Sequence, residues 1–161
     1  MANTTFSGPV RSTNGFVGNL TGNVTGNVTG TVTGTALVET VTSTNVITAA
    51  ESGTTYFLSA LAGFASTLPA PASGLSFSFI VISAPTSNGY TILTNASANI
   101  MSGTHNVSAD GGGSAIALAD TITLVANSAV AGDRVDVISN GSFWYVTAAS
   151  TLKASITSAA T

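Results

Sequence analysis

Charge is what this chain has least of. Asp, Glu, Lys and Arg together make up 6% of its 161 residues, against about 25% in an ordinary globular domain. Coiled coils and charged helical bundles need Glu, Lys and Arg along their flanks, so those folds are excluded. The basic residues are three, Arg11, Arg134 and Lys153. So few cations cannot neutralise a run of phosphates, which argues against nucleic-acid binding and against polybasic attachment to a membrane. Cysteine is absent, and with it disulfides, thiolate metal sites and thiol catalysis. No stretch approaches the ~18 apolar residues of a membrane-spanning helix. The opening residues Met1 to Phe6 have neither the basic nor the apolar region of a secretory signal. The expectation is therefore a soluble chain made and kept in the cytosol of its producer.

Thr, Ser, Asn and Gly take the place of charge, and 44% of the residues are hydrophobic. Abundant Val, Ile and Thr argue against disorder, since disordered chains are charged and poor in β-branched residues. The length suits one domain with a sizeable core, together with an appendage.

Gly18 to Thr35 reads GNLT, GNVT, GNVT, GTVT, GT, a four-residue repeat. Glycine at every fourth position among β-branched residues argues against a helix, and collagen requires it at every third. Extended, the repeat would place Leu20, Val24, Val28 and Val32 on one face between glycine notches, with Asn and Thr on the other. A knob on one strand can enter a notch on another, which suits packing of identical strands about an axis. Such a segment would span about 60 Å and could not fold alone. A slip of four residues restores the same faces, so its register would have to be pinned from outside. A flexible Gly/Asn/Thr linker is the alternative reading.

The expected organisation is an N-terminal arm (1–17), the extended repeat (18–36), a connecting β segment (37–53), a β-sandwich or barrel (54–148) and a C-terminal tail (149–161), with one edge strand in the tail. Within the body, short β-rich runs alternate with turn signals. They are Thr54–Ser59, Leu75–Ile82, Gly89–Leu93, Asp120–Val125, Arg134–Ser139 and Ser142–Thr147, with weaker Ser66–Leu68 and Ala115–Leu118. Leu75, Phe77, Phe79 and Val81 fall on one face, and Ile80 and Ile82 are expected to bury the other as well. Asn140-Gly141 predicts a two-residue type I′ hairpin turn. The fold class is all-β.

Catalytic chemistry finds few parts. His105, the one histidine, lies in the polar stretch Gly103-Thr-His-Asn106 and reads as a loop residue without a nucleophile motif around it. Asp133 and Asp136 could be a carboxylate pair, but Arg134 and Asp136 share a strand face and read better as a solvated ion pair. The glycines at 111–113 lack the Lys-Ser/Thr of a phosphate loop, and no calcium-loop pattern occurs. The Asn-x-Ser/Thr triplets are read as products of composition. Phe143 and Tyr145 share a face opposite Trp144, so at least one face buries a ring. An outer ring could stack on carbohydrate, while core and subunit packing is the plainer role. The expectation is a non-enzyme without catalytic, metal-binding or cofactor-binding residues.

Three stretches carry a resemblance. Met1-Ala-Asn-Thr-Thr-Phe-Ser-Gly-Pro-Val-Arg-Ser-Thr-Asn-Gly-Phe16, the Gly-Asn-Val-Thr tetrads, and Thr67–Val81 with Gly132–Val146 resemble small virion structural proteins of tailed phages, notably those of cyanobacteria and other marine bacteria. The resemblance implies a capsid decoration (cement) protein, a homotrimer seated between capsomers that binds the major capsid protein on the outer surface of the virion. Such a protein would be assembled in the host cytoplasm. Phe6, Pro9, Val10, Arg11 and Phe16 would then form the arm that grips the capsid or a neighbouring subunit. Leu20, Val24, Val28 and Val32 would stack in the trimer. A head or tail fibre that touches host glycans through Asp110–Ser114 or the Trp144 region is the alternative.

Overall fold

The computed structural model describes residues 37–161. The arm residues Phe6, Pro9, Val10, Arg11 and Phe16, and the repeat residues Leu20, Val24, Val28 and Val32, lie outside the described residues.

The described residues form twelve strands, most of them alternating apolar with polar side chains: β1 (Val38–Val41), β2 (Asn45–Val46), β3 (Thr55–Ser59), β4 (Phe64–Thr67), β5 (Ser73–Ser83), β6 (Tyr90–Leu93), β7 (Met101–Val107), β8 (Ser114–Ala119), β9 (Thr121–Leu124), β10 (Arg134–Asn140), β11 (Trp144–Ser150) and β12 (Ile156–Ala159). They form a seven-stranded sheet in the order β1-β3-β5-β10-β11-β7-β8 and a five-stranded sheet in the order β12-β9-β6-β4-β2. The fold is all-β, and both sheets mix parallel and antiparallel pairs.

Up to β6 the chain visits the two sheets in turn, and successive visits add parallel strands: β1, β3, β5 in the larger sheet and β2, β4, β6 in the smaller. After β6 most pairs are antiparallel, and the exception is β7 on β11. The segment 37–53 supplies an edge strand to each sheet, and the C-terminal residues supply β12, the far edge of the smaller one.

One core joins the sheets. The larger sheet contributes Tyr56, Phe77, Phe79, Val81, Val137, Trp144 and Val146, and the smaller contributes Tyr90, Ile92, Ile122, Leu124 and Ile156. Tyr56 stacks on Phe79 at 5.4 Å between ring centroids. Tyr90 keeps its hydroxyl satisfied inside the core: it accepts from the Ala60 amide at 2.7 Å and lies 2.7 Å from the Ser83 carbonyl, to which it can donate. Such partners are what a buried phenol requires.

Three expectations are corrected. Ile80 is half-buried and Ile82 exposed, so the second face of β5 is not a core face. No third layer of structure covers that side of the larger sheet among the described residues. The hairpin between β10 and β11 forms, but its turn is shifted by one residue. Asn140 pairs with Phe143 through an N–H···O bond of 3.2 Å, leaving Gly141-Ser142 as the loop. Gly141 has φ +103°, and glycine at the first loop position fits a type II′ geometry rather than I′. Asn140 instead caps the turn, accepting from the amides of Ser142 and Phe143 at 3.0 and 2.9 Å. Finally, His105 is in β7 and is 2% exposed, not in a loop. Gly103 explains why: a Cβ there would lie 1.8 Å from the Val146 carbonyl, so glycine lets β7 approach β11 closely.

Candidate functional site

The larger sheet sorts its side chains by alternation. Inward lie the core rings; outward lie Phe57, Ser76, Ser78, Ile80, Arg134, Asp136, Ile138, Tyr145 and Thr147. Register builds two outward rows. Thr55, Ser78, Asp136, Thr147 and Thr104 face one another across five strands. Ser76, Ile138, Tyr145 and Ser102 form the next row. Between these rows runs a groove of about 200 Å³, with Gly53 at one end and Thr147 near the other.

Asp136 organises the groove. Its Oδ1 accepts from Ser78 Oγ and from Arg134 Nη2, each at 2.6 Å. The Arg134–Asp136 pair is part-exposed, so solvent screens it and its contribution to stability is at most about 1 kcal/mol. Tyr145 is 49% exposed, and its hydroxyl accepts from Asn140 Nδ2 at 3.2 Å. Its neighbour Trp144 is wholly buried on the other face.

Beside Tyr145 the sheet carries a defect that the sequence does not announce. Met101 pairs with Ala119 and Gly103 with Ile116, so Ala117 and Leu118 together oppose Ser102. This is a β-bulge. Leu118 occupies it at φ +48° and is 54% exposed. A leucine in left-handed backbone is uncommon and costs on the order of 1 kcal/mol or more. The Leu118 amide donates to Ser102 Oγ at 3.3 Å, which supports the bulge.

Several other titratable groups bond to the chain's own backbone and hydroxyls. Asp133 is buried, accepting from Thr151 N and Val130 N at 3.0 Å each, and so ties the β10 entrance to the end of β11. It is thus committed to backbone on the core side, whereas Asp136 faces outward; the two do not form a facing catalytic pair. Ser150 Oγ donates to the Leu152 carbonyl at 2.7 Å, so it accepts from His105 Nε2–H at 2.6 Å. His105 Nδ1 is buried without a partner, and burial holds the imidazole below its usual pKa against the opposing pull of Asp133 and Asp110. Glu51 is held below the carboxylate range by Thr48, whose hydroxyl and amide both donate at 2.6 Å in a capping box. Hydrogen bonding from Thr161 and Thr121 lowers Asp120 likewise. The Asp110–Ser114 loop is exposed, and Asp110 Oδ1 accepts from the Lys153 amide at 2.7 Å. Among the described residues no three His, Cys, Asp or Glu side chains gather as a metal site.

The sheet edges form a second candidate surface. Edge strands VETV, NV, SAIALA and ITSA include one charged residue, Glu39. Leu37, Val38 and Val46 are 57%, 60% and 72% exposed at the β1 and β2 ends of the two sheets.

No protein-family model, curated protein or solved structure matches the chain.

Proposed function

We propose that this chain is a virion structural protein, a capsid decoration protein that binds the outer capsid surface as a homotrimer and stabilises the shell. The observation that carries the reading is the near absence of charge on the four edge strands. A monomer protects such edges with lysine, proline or inward charge, because unpaired N–H and C=O groups recruit other strands. Here Glu39 alone provides such charge among the described edges, and apolar Leu37, Val38 and Val46 remain exposed. A protein whose task is association has no need of that protection. The sequence resemblance to phage virion proteins supplies the kind of assembly.

In this reading Phe6, Val10 and Phe16 bury apolar surface on the capsid or a neighbour, offsetting the ordering entropy of the arm. Leu20, Val24, Val28 and Val32 stack from three chains. Sedimentation equilibrium and co-pelleting with capsids composed of the major capsid protein test both halves. The full chain is expected to sediment as a trimer and pellet with capsids, and Val24→Asp with Val28→Asp to yield monomer. A monomeric wild type, or one that stays in the supernatant, overturns the proposal. Tyr145 and the groove beside it favour a second reading, a fibre or receptor-binding appendage. Virion copy number separates the two: hundreds for a decoration protein, few for a fibre.

A further inference from the structure

We propose that the groove on the outward face of the larger sheet binds a neutral saccharide, with Tyr145 as the stacking platform and Asp136 as the hydroxyl acceptor. The chemistry of the groove itself points to such a ligand, whether the protein is a decoration protein or a fibre.

The groove floor is built on strands, so its groups are held by the ladder rather than by loops. Along one side run Ser78, Asp136 and Thr147; along the other, Ser76, Ile138 and Tyr145. Asp136 receives both of its short hydrogen bonds on Oδ1. Its Oδ2 has no partner among the described residues and is a free, charge-assisted acceptor on a half-buried side chain. Arg134 balances that carboxylate, so the groove has no net charge to select an ion. Serine and threonine hydroxyls both donate and accept, as sugar hydroxyls do. Tyr145 adds a half-exposed ring to the groove lining, and an aromatic face carries negative electrostatic character that suits the C–H face of a pyranose. Asn140 holds the phenol in place from the hairpin turn.

Charge and size decide among occupants. An apolar ligand would leave the carboxylate and hydroxyls of the floor unpaired, which is costly. A charged ligand meets a carboxylate already balanced by its own arginine. The volume, about 200 Å³, is below that of pockets for drug-sized molecules and suits one sugar ring with its neighbours projecting outward. The bulge with Leu118 at φ +48° lies opposite Ser102, which itself pairs with Tyr145. Strained backbone of this kind recurs beside ligand sites, and here it ends the Tyr145 row with an exposed aliphatic residue.

The test is titration of the full-length, isotope-labelled chain with maltotriose, cellotriose and chitotriose, followed by amide chemical shifts. Binding of at least one is expected to move the amides of Ser76, Ser78, Tyr145 and Thr147. Tyr145→Ala and Asp136→Asn are each expected to weaken it about tenfold or more, with dispersed spectra reporting that both remain folded. Phe143→Ala, at an exposed ring outside the groove, is expected to bind as wild type. No groove shifts with any of the three sugars, or equal binding by Tyr145→Ala, overturns the proposal. So do groove shifts that grow with protein concentration alone, which would assign the face to a second copy of the chain.

Discussion

The two faces of the seven-stranded sheet are written in the same strands and differ in almost every respect. Inward, β5 presents Leu75, Phe77, Phe79 and Val81, and β11 presents Trp144, Val146 and Ala148, all buried. Outward, the alternate positions present serine, threonine, one ion pair and a few half-exposed apolar groups. The inward face is specified by volume and shape. The outward face is specified by hydrogen-bonding groups and by the rings of Phe57 and Tyr145, none of which the fold needs in order to close its core. A chain nearly without charge need not be uniformly sticky. Alternation alone separates the side chains that fold it from those that face outward.

Adjacent rings on one strand give the sharpest contrast. Trp144 is 0% exposed and packs 5.9 Å from Phe77, centroid to centroid. Trp144→Ala removes the largest buried side chain and is expected to cost about 3–5 kcal/mol in urea unfolding. A loss below about 1 kcal/mol would mean that the inward face is not the load on which the fold rests.

Gly103→Ala probes the seam that keeps the sheet continuous. Its Cβ would meet the Val146 carbonyl at 1.8 Å, so β7 and β11 would have to part. Crowding of this kind costs about 1–3 kcal/mol, and backbone offers little relief. The expected readout is a lower unfolding midpoint with faster hydrogen exchange in β7 and β8. Wild-type exchange there would contradict the close approach.

A smaller effect concerns His105 on the inward face. Burial keeps its imidazole neutral in the folded state, while the unfolded chain takes up a proton below about pH 6.5. Its folded pKa lies below the unfolded one, so stability is full above that pH and falls as pH drops through it. Glu51 and Asp120, with lowered carboxylate values, begin to act only nearer pH 4. The unfolding midpoint is expected to decline from about pH 6.5 to 5 in wild type and to stay flat in His105→Gln. A flat wild-type profile would place the histidine in water.

Much of the inward face was legible in the sequence, because period-two alternation states it directly: Leu75, Phe77, Phe79 and Val81 read as one face of a strand, and Arg134–Ser139 and Ser142–Thr147 read as strands. The outward face was less so. Ile80 and Ile82 look like core residues by hydropathy, but no layer among the described residues covers them, and they stay half-buried and exposed. β7 escaped notice since Met-Ser-Gly-Thr-His-Asn-Val has weak alternation and a glycine, and it is tertiary pairing with β11 that makes it a strand. The groove was invisible. It needs Asp136, Ser78 and Tyr145 from three strands to meet in register, and register is a property of the whole sheet. The bulge at Leu118 likewise has no local signature, since leucine is not a residue that announces left-handed backbone.

Tyr145 is where a division of labour between the two faces, one folding the chain and the other recognising a saccharide, can be broken. Urea unfolding and saccharide titration of Tyr145→Ala should be measured on the same preparation. Stability within about 1 kcal/mol of wild type, as for an exposed side chain, is expected together with loss of sugar binding. A variant that loses several kcal/mol, or one that keeps both stability and binding, would contradict it.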